Sequence, residues 1–231
     1  LRHFDRPYEV FVVEERAEAE SAQPDGASER PATTSSLGEE FFDDFYEGRS
    51  DPWGFESRWY EERKRAITLA SLPRKTFRAG LEIGCSTGVL TEALSHRCAT
   101  ILGVDIAAAP LETARRRLGD RARFEQLATP HQWPAGEFDL VVLSEVGYYY
   151  GQEDLVTMLD RAVGSLTPDG VLVLCHWRHE VEEYPLGGDE VHDAARRTDL
   201  VRLVRHEEED FLLDVLVHPP ARSVARETGL L

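Results

Sequence analysis

From Ala79 onward, short apolar runs alternate with segments of helical period. The runs Gly80–Ile83, Thr100–Val104, Arg123–Leu127, Asp139–Leu143 and Val171–Cys175 have the length and character of strands. Helical segments lie between them near Gly88–Arg97, Pro110–Leu118 and Gln152–Leu166. Thr167-Pro168-Asp169-Gly170 reads as a turn delivering the chain into the fifth strand. After Trp177 a loop of about twenty residues breaks the rhythm. Two more strands follow, Leu200–Arg205 and Phe211–Val217, and the short connection Glu207–Asp210 predicts that they pair antiparallel. Strands alternating with helices predict an α/β fold with a seven-stranded, mostly parallel sheet, helices on both faces and an antiparallel last strand. No internal repeat is present.

Upstream, Phe41, Phe42, Phe45 and Tyr46 recur at helical spacing within Leu37–Gly48, and Gly48 stops the pattern. Asp51-Pro52-Trp53-Gly54 is a turn, and a second N-terminal helix runs from about Ser57 to Leu72, stopped by Pro73. Residues Glu14–Ser36 contain no apolar residue larger than Ala, so burial cannot offset the entropy of ordering them. The expected organisation is therefore a tail or domain remnant over 1–13, a flexible linker over 14–36 and a main domain over 37–231. A chain of 231 residues has room for one core of ordinary size, which needs no staples.

Composition narrows the function. A formal net charge of -17 would repel a phosphate backbone or an anionic bilayer, so neither nucleic acid nor membrane is an expected partner. No run approaches the roughly 18 apolar residues of a membrane helix. No basic segment followed by an apolar run marks a secretory signal, and the missing initiator Met is compatible with a piece of a longer protein. Three cysteines, Cys85, Cys98 and Cys175, with no CxxC spacing favour neither a disulfide framework nor a zinc site, and a reducing cytoplasm is the simplest setting.

Leu81-Glu82-Ile83-Gly84-Cys85-Ser86-Thr87-Gly88 follows the first strand and opens a helix, the place where a Rossmann-like sheet holds its ligand. Gly84 permits the tight turn and Gly88 allows close packing on the next helix. Ser86 stands where a dinucleotide loop has its middle glycine, so a pyrophosphate is disfavoured. The acidic Glu82 suits a cationic cofactor instead. Asp105 closes the second strand 23 residues after Glu82 and can accept both hydrogen bonds of a ribose diol, the alternative being that it caps the next helix. Together these features point to a nucleoside-type cofactor such as S-adenosylmethionine.

The runs Asp51-Pro52-Trp53, Trp59-Tyr60-Glu61-Glu62-Arg63-Lys64, Glu82 to Thr91, Trp133-Pro134, Phe138 to Val146 and His176-Trp177 resemble the rhizobial nodulation N-methyltransferases, the NodS-like proteins. The resemblance spans about Phe41 to Val217. It implies methyl transfer from S-adenosylmethionine to the free amine of a deacetylated amino sugar. It further implies cofactor contacts from Trp53, Tyr60, Arg63, Glu82, Gly84, Cys85, Ser86, Gly88, Asp105, Ile106, Ala128 and Ser144. Arg63 could pair with the cofactor's carboxylate or face solvent. Leu127-Ala128-Thr129 lacks the acidic residue that often reads the adenine amine in related enzymes, so backbone contacts would serve. Gly147-Tyr148-Tyr149-Tyr150 and the loop after Trp177 depart from the family pattern on the acceptor side. Leu1–Val13 resembles the last strand of PIG-L type deacetylases, which would make a deacetylase a fused or partner domain; the alternative is a plain N-terminal tail.

An amine must be neutral to attack, so a base or orienting group is expected. Glu145 and His176 stand just past the fourth and fifth strands, on the edge of the sheet where ligands bind, and are the catalytic candidates; capping or packing roles are the alternatives. Tyr148, Tyr149, His179 and His192 are the acceptor-side candidates. His176, His179, Asp189 and His192 have a spacing tolerable for a divalent metal, but methyl transfer to an amine needs no Lewis acid, so a lid over a polar acceptor is expected and no metal. O-methylation, a nicotinamide-dependent oxidoreductase and a cofactor-binding scaffold attached to a deacetylase remain alternatives.

Overall fold

The structure is a computed structural model that describes residues 35–49 and 51–231. The expected remnant over 1–13, and the linker except for Ser35 and Ser36, lie outside the described residues. Everything described belongs to one compact unit, Thr33–Leu231.

Two helices come first, α1 (Glu39–Tyr46) and α2 (Trp59–Ser71). The alternating part follows: β1 (Phe77–Ile83), α3 (Val89–Ser95), β2 (Cys98–Asp105), α4 (Ala108–Leu118), β3 (Arg123–Gln126), β4 (Phe138–Ser144), α5 (Gln152–Gly164) and β5 (Leu166–Trp177). The chain ends with α6 (Gly188–Ala195), β6 (Val201–Glu207), β7 (Phe211–Val217) and α7 (Val224–Glu227). The seven strands form one sheet in the order β3-β2-β1-β4-β5-β7-β6. Strands β1 to β5 pair parallel, and β7 pairs antiparallel with both β5 and β6, as the pattern predicts.

Side chains of the central strands alternate between two cores, one on each face. Val141, Leu143, Leu172 and Leu174 join Phe42, Leu155, Met158 and Val191 from α1, α5 and α6. Leu140, Val142, Val171 and Val173 face the other way, with Leu94 of α3 and Ile67 of α2. Burial on both faces explains why Leu140–Leu143 of β4 reads as an unbroken apolar run.

Three elements differ from the sequence reading. β1 begins at Phe77 rather than Gly80, because Phe77 is buried and the carboxylate of Asp139 accepts the N–H groups of Arg78 and Ala79 at 2.8–3.0 Å. Thr167–Gly170 is an irregular part of β5: Leu166 already pairs with Phe138, and the register shifts before Leu140 meets Val171. The loop after Trp177 contains α6, with the side chain of Glu190 accepting the Gly187 N–H at 2.7 Å. Among the described residues no helix is long and apolar enough to cross a membrane.

Candidate functional site

Chain order reverses between β1 and its two neighbours β2 and β4, which opens a crevice beyond their carboxyl ends. The glycine loop lines it. Gly84 has φ +71° and a Cβ there would stand 2.7 Å from Val146 Cγ2; Gly88 has φ +77° and a Cβ would meet Ala114 Cβ of α4 at 2.9 Å. Both glycines are therefore required twice, by backbone sign and by space. Ser86, at φ +49°, is held in the same left-handed region by two bonds. Its N–H donates to Asp105 Oδ2 at 2.8 Å, and its hydroxyl shares a 2.5 Å hydrogen bond with Tyr46 of α1. Asp105 Oδ1 accepts the Ala107 N–H at 3.0 Å. Burial raises the Asp105 carboxyl above its ordinary range, opposed by the backbone N–H bonds from Ala107 and Ser86.

A cavity of about 360 Å³ fills the crevice. Gly84, Ser86, Asp105, Ile106, Ala128, Ser144, Glu145 and Tyr149 line it, together with the aromatic residues Phe42, Tyr46, Trp53 and Phe55. Thr129, His131, Tyr150 and Asp154 complete its wall beside Ala128. A smaller cavity of about 40 Å³ shares Phe55, Gly84, Ser86, Ser144 and Glu145 with it and adds Glu61, Lys64, Arg65, Glu82, Cys85 and Thr87.

Glu145 belongs to both. Its backbone has φ +57°, unusual for a residue with a side chain, and the conformation persists because three bonds fix the carboxylate. Oε1 accepts from Lys64 Nζ at 2.8 Å; Oε2 accepts the Tyr148 hydroxyl and, at 3.3 Å, the Trp177 N–H. Lys64 is itself buried and also reaches Glu61 Oε1 at 2.9 Å. Burial works against the Lys64 charge, but Glu145 and Glu61 outweigh it and hold the ammonium above its ordinary range. Burial, with the Glu145 charge beside it, pushes the Tyr148 phenol far up, so Tyr148 stays a donor.

The structure thus gathers Trp53, Gly84, Ser86, Asp105, Ile106, Ala128, Ser144, Glu145 and Tyr149 around the larger cavity, and Glu82 and Cys85 at the smaller one. Several other candidates lie elsewhere. Arg63 makes a bidentate ion pair with Glu208 at 2.6 and 2.7 Å and lines neither cavity. Tyr60 packs edge-on against Trp177 and Phe211. Tyr148 does not line the larger cavity and meets it through Glu145 and Tyr149. His176 is not free to act as a base: it is fully buried, its Nε2 accepts the Gly147 N–H at 3.1 Å, and its Nδ1 lies 3.1 Å from His192 Nε2. Burial first, then His192 and Lys64, hold the His176 imidazole well below its ordinary range. His192 continues to Asp214 Oδ2 at 2.9 Å and does not contact the cavity. His179 pairs at the surface with Asp210, and Asp189 with Arg178. The expected lid of His176, His179, Asp189 and His192 therefore does not assemble.

Sequence reasoning passed over Lys64, Glu61, Tyr46 and Asp154. Glu61 and Lys64 at i, i+3 look like an exposed helix pair, and only the tertiary contact to Glu145, 81 residues away, shows that they are buried.

The family model for Nodulation protein S (NodS) matches residues 46–188, more than half of the chain. The chain belongs to the NodS family. The nodulation protein S of Rhizobium tropici is 32% identical over 130 residues, which cover 53% of this chain and 53% of that protein. The chain thus spans about half the length of this relative. The N-methyltransferase NodS of Bradyrhizobium japonicum WM9, crystallised with S-adenosylhomocysteine, superposes with a TM-score of 0.71 at 25% identity, covering 78% of this chain and 98% of that one. A putative methyltransferase of Pseudomonas syringae is 47% identical with a TM-score of 0.62, covering 69% of this chain and 99% of that one.

Proposed function

We propose that this NodS-family chain is an S-adenosylmethionine-dependent methyltransferase that N-methylates a free amine, such as that of a deacetylated amino sugar. One observation carries the choice of an amine. Among the described residues lining the larger cavity, Asp105, Glu145 and Asp154 supply three carboxylates against no Lys or Arg, and Lys64, which pairs with Glu145 from the smaller cavity, offsets only one of them. Such a cavity favours cationic ligands and disfavours phosphates and acidic acceptors.

The residues fit the cofactor. The Asp105 carboxylate at the end of β2 keeps lone pairs beyond those used by Ser86 and Ala107, enough for a ribose diol. Ile106 and Ala128 offer apolar surface for a purine, and Asp154 stands on the same wall, where an acidic residue was missing from the end of β3. Glu82 lines the smaller cavity, within reach of a charged amino-acid end. When bound, the cofactor supplies a methyl group on a sulfonium, so the protein's tasks are positioning, desolvation and proton handling.

Glu145 is the residue for the proton. Lys64, Tyr148 and the Trp177 N–H hold its carboxylate at the junction of the two cavities, where it can orient an amine N–H and accept the proton that the amine loses. Phe42, Trp53 and Phe55 add apolar surface to the same cavity. A deacetylase fused or bound to the chain would expose such an amine, which fits the reading of Leu1–Val13.

The test is methyl transfer to glucosamine oligomers, their N-acetylated forms and simple hydroxyl acceptors, with S-adenosylmethionine as donor. Transfer to free-amine oligomers only is expected. Glu145→Gln should lower kcat by about 10²- to 10⁴-fold and leave S-adenosylhomocysteine binding nearly unchanged. Transfer only to hydroxyls would overturn the amine assignment, and absence of any cofactor binding would overturn the reading itself.

A further inference from the structure

We infer that the buried chain Asp214–His192–His176 is a positioning device that sets the turn carrying Glu145, Tyr148 and Tyr149, through the hydrogen bond from the Gly147 N–H to His176. The inference deepens the proposed function and rests on it for its catalytic consequence.

The proton arrangement follows from the geometry. A backbone N–H can only donate, so His176 Nε2 presents its lone pair to Gly147 at 3.1 Å. The His176 proton then sits on Nδ1 and donates to His192 Nε2 at 3.1 Å. His192 in turn holds its proton on Nδ1 and donates to Asp214 Oδ2 at 2.9 Å. A second proton on either ring would bring two N–H groups face to face. The chain therefore has one consistent assignment, with Asp214 fixing its sense. Exposure of the three side chains is 0%, 0% and 2%, so water cannot substitute for a lost link.

The chain crosses four elements. Asp214 lies on β7, His192 on α6, His176 on β5 and Gly147 in the turn after β4. Packing leaves no slack between them. A Cβ on Gly147 would stand 2.5 Å from Val191 of α6 and 2.9 Å from His176 Nε2. The outer end lies near the exposed strand β6, with Arg202 and Arg205 each 3.8 Å from an Asp214 oxygen. Around His176, Lys64 of α2, Tyr148 of the turn and His192 are the ionisable neighbours. His176 and His192 line neither cavity, so they act through the turn.

Two substitutions at one position separate positioning from bulk structure. In His192→Gln the longer amide can place an oxygen where Nε2 accepted from His176. In His192→Asn the shorter amide can reach Asp214 but leaves His176 Nδ1 without an acceptor.

The experiment is histidine-ring 15N spectroscopy on the full chain, with S-adenosylhomocysteine titration and kinetics on a glucosamine tetramer. In the native protein His176 should be the neutral Nδ1–H tautomer between about pH 5 and 8, with a 15N–15N coupling from its Nε2 to the Gly147 amide. His192→Asn should lose that coupling and lower kcat about tenfold, while S-adenosylhomocysteine affinity stays within about twofold. His192→Gln should recover both the coupling and kcat. A His176 Nε2–H tautomer in the native protein, or equal loss in the two variants, would overturn the inference. Absence of S-adenosylhomocysteine binding in the native protein would overturn the methyltransferase reading and leave the tautomer result standing, so the two failures are distinguishable.

Discussion

Glu82 is 3% exposed and its hydrogen bond comes from the Thr91 hydroxyl at 2.5 Å. Burial pushes its carboxyl up to about 8; Thr91 pulls the other way and the Asp105 charge adds to the rise. A carboxyl raised on folding binds its proton more tightly in the native state. That contribution to stability is complete below the unfolded value of about 4.3 and is lost as the pH rises through 8. The protein without cofactor should therefore lose on the order of 3 kcal/mol between about pH 5 and 8.5. Glu82→Gln should flatten that slope, as urea midpoints across the range would show; an unchanged slope in the variant would refute the assignment. At this scale the sequence was partly legible. Glu82, Ser86, Asp105 and Glu145 could be singled out as candidates because each has a fixed place relative to a strand end. Lys64 and Asp154 could not, since helix spacing gives no sign of what a polar side chain will meet across the fold. His176 occupies the expected strand end, but its ring turns toward the Gly147 amide and away from the cavity.

At the scale of elements, the central strands were legible from their apolar runs because both faces of the sheet are covered there. α6 was not, because it opens on Gly187 and Gly188 after a stretch with no apolar period. Gly188 explains the choice. A Cβ there would stand 2.1 Å from the Trp177 carbonyl oxygen, so only glycine lets α6 press against the end of β5. Helix propensity alone favours Ala over Gly by about 1 kcal/mol. The clash is with backbone that pairs in the sheet and cannot yield cheaply, so sterics should win. Gly188→Ala is expected to destabilise by about 3 kcal/mol. Gly164→Ala at the end of α5 is the control: nothing lies within 4 Å of its Cβ, and the change should be neutral or stabilising by up to about 1 kcal/mol. Denaturant midpoints for the pair decide the point, since a stable Gly188→Ala would mean that α6 does not pack on β5.

For the whole molecule, charge and cavity act in the same direction. The chain has a formal net charge of -17, and the larger cavity adds Asp105, Asp154 and the Lys64-paired Glu145 without a Lys or Arg among its described lining. On the proposed function, a polycationic acceptor should therefore be drawn in from a distance, whereas the zwitterionic amino-acid end of S-adenosylmethionine would feel mainly local bonds. Raising the ionic strength from about 10 to 150 mM shortens the Debye length from roughly 30 to 8 Å, so it removes the long-range field but not contacts inside a buried site. The KM of a glucosamine tetramer should consequently rise about tenfold over that range, and the Kd of S-adenosylhomocysteine should change by less than about twofold. The acceptor's charge can be titrated independently by comparing the tetramer with the monomer: if the field does the steering, the salt effect must grow with the number of ammonium groups. A KM that ignores salt, or a monomer and tetramer with equal salt dependence, would place acceptor selection wholly in the short-range contacts around Glu145 and leave the acidic surface without a part in catalysis.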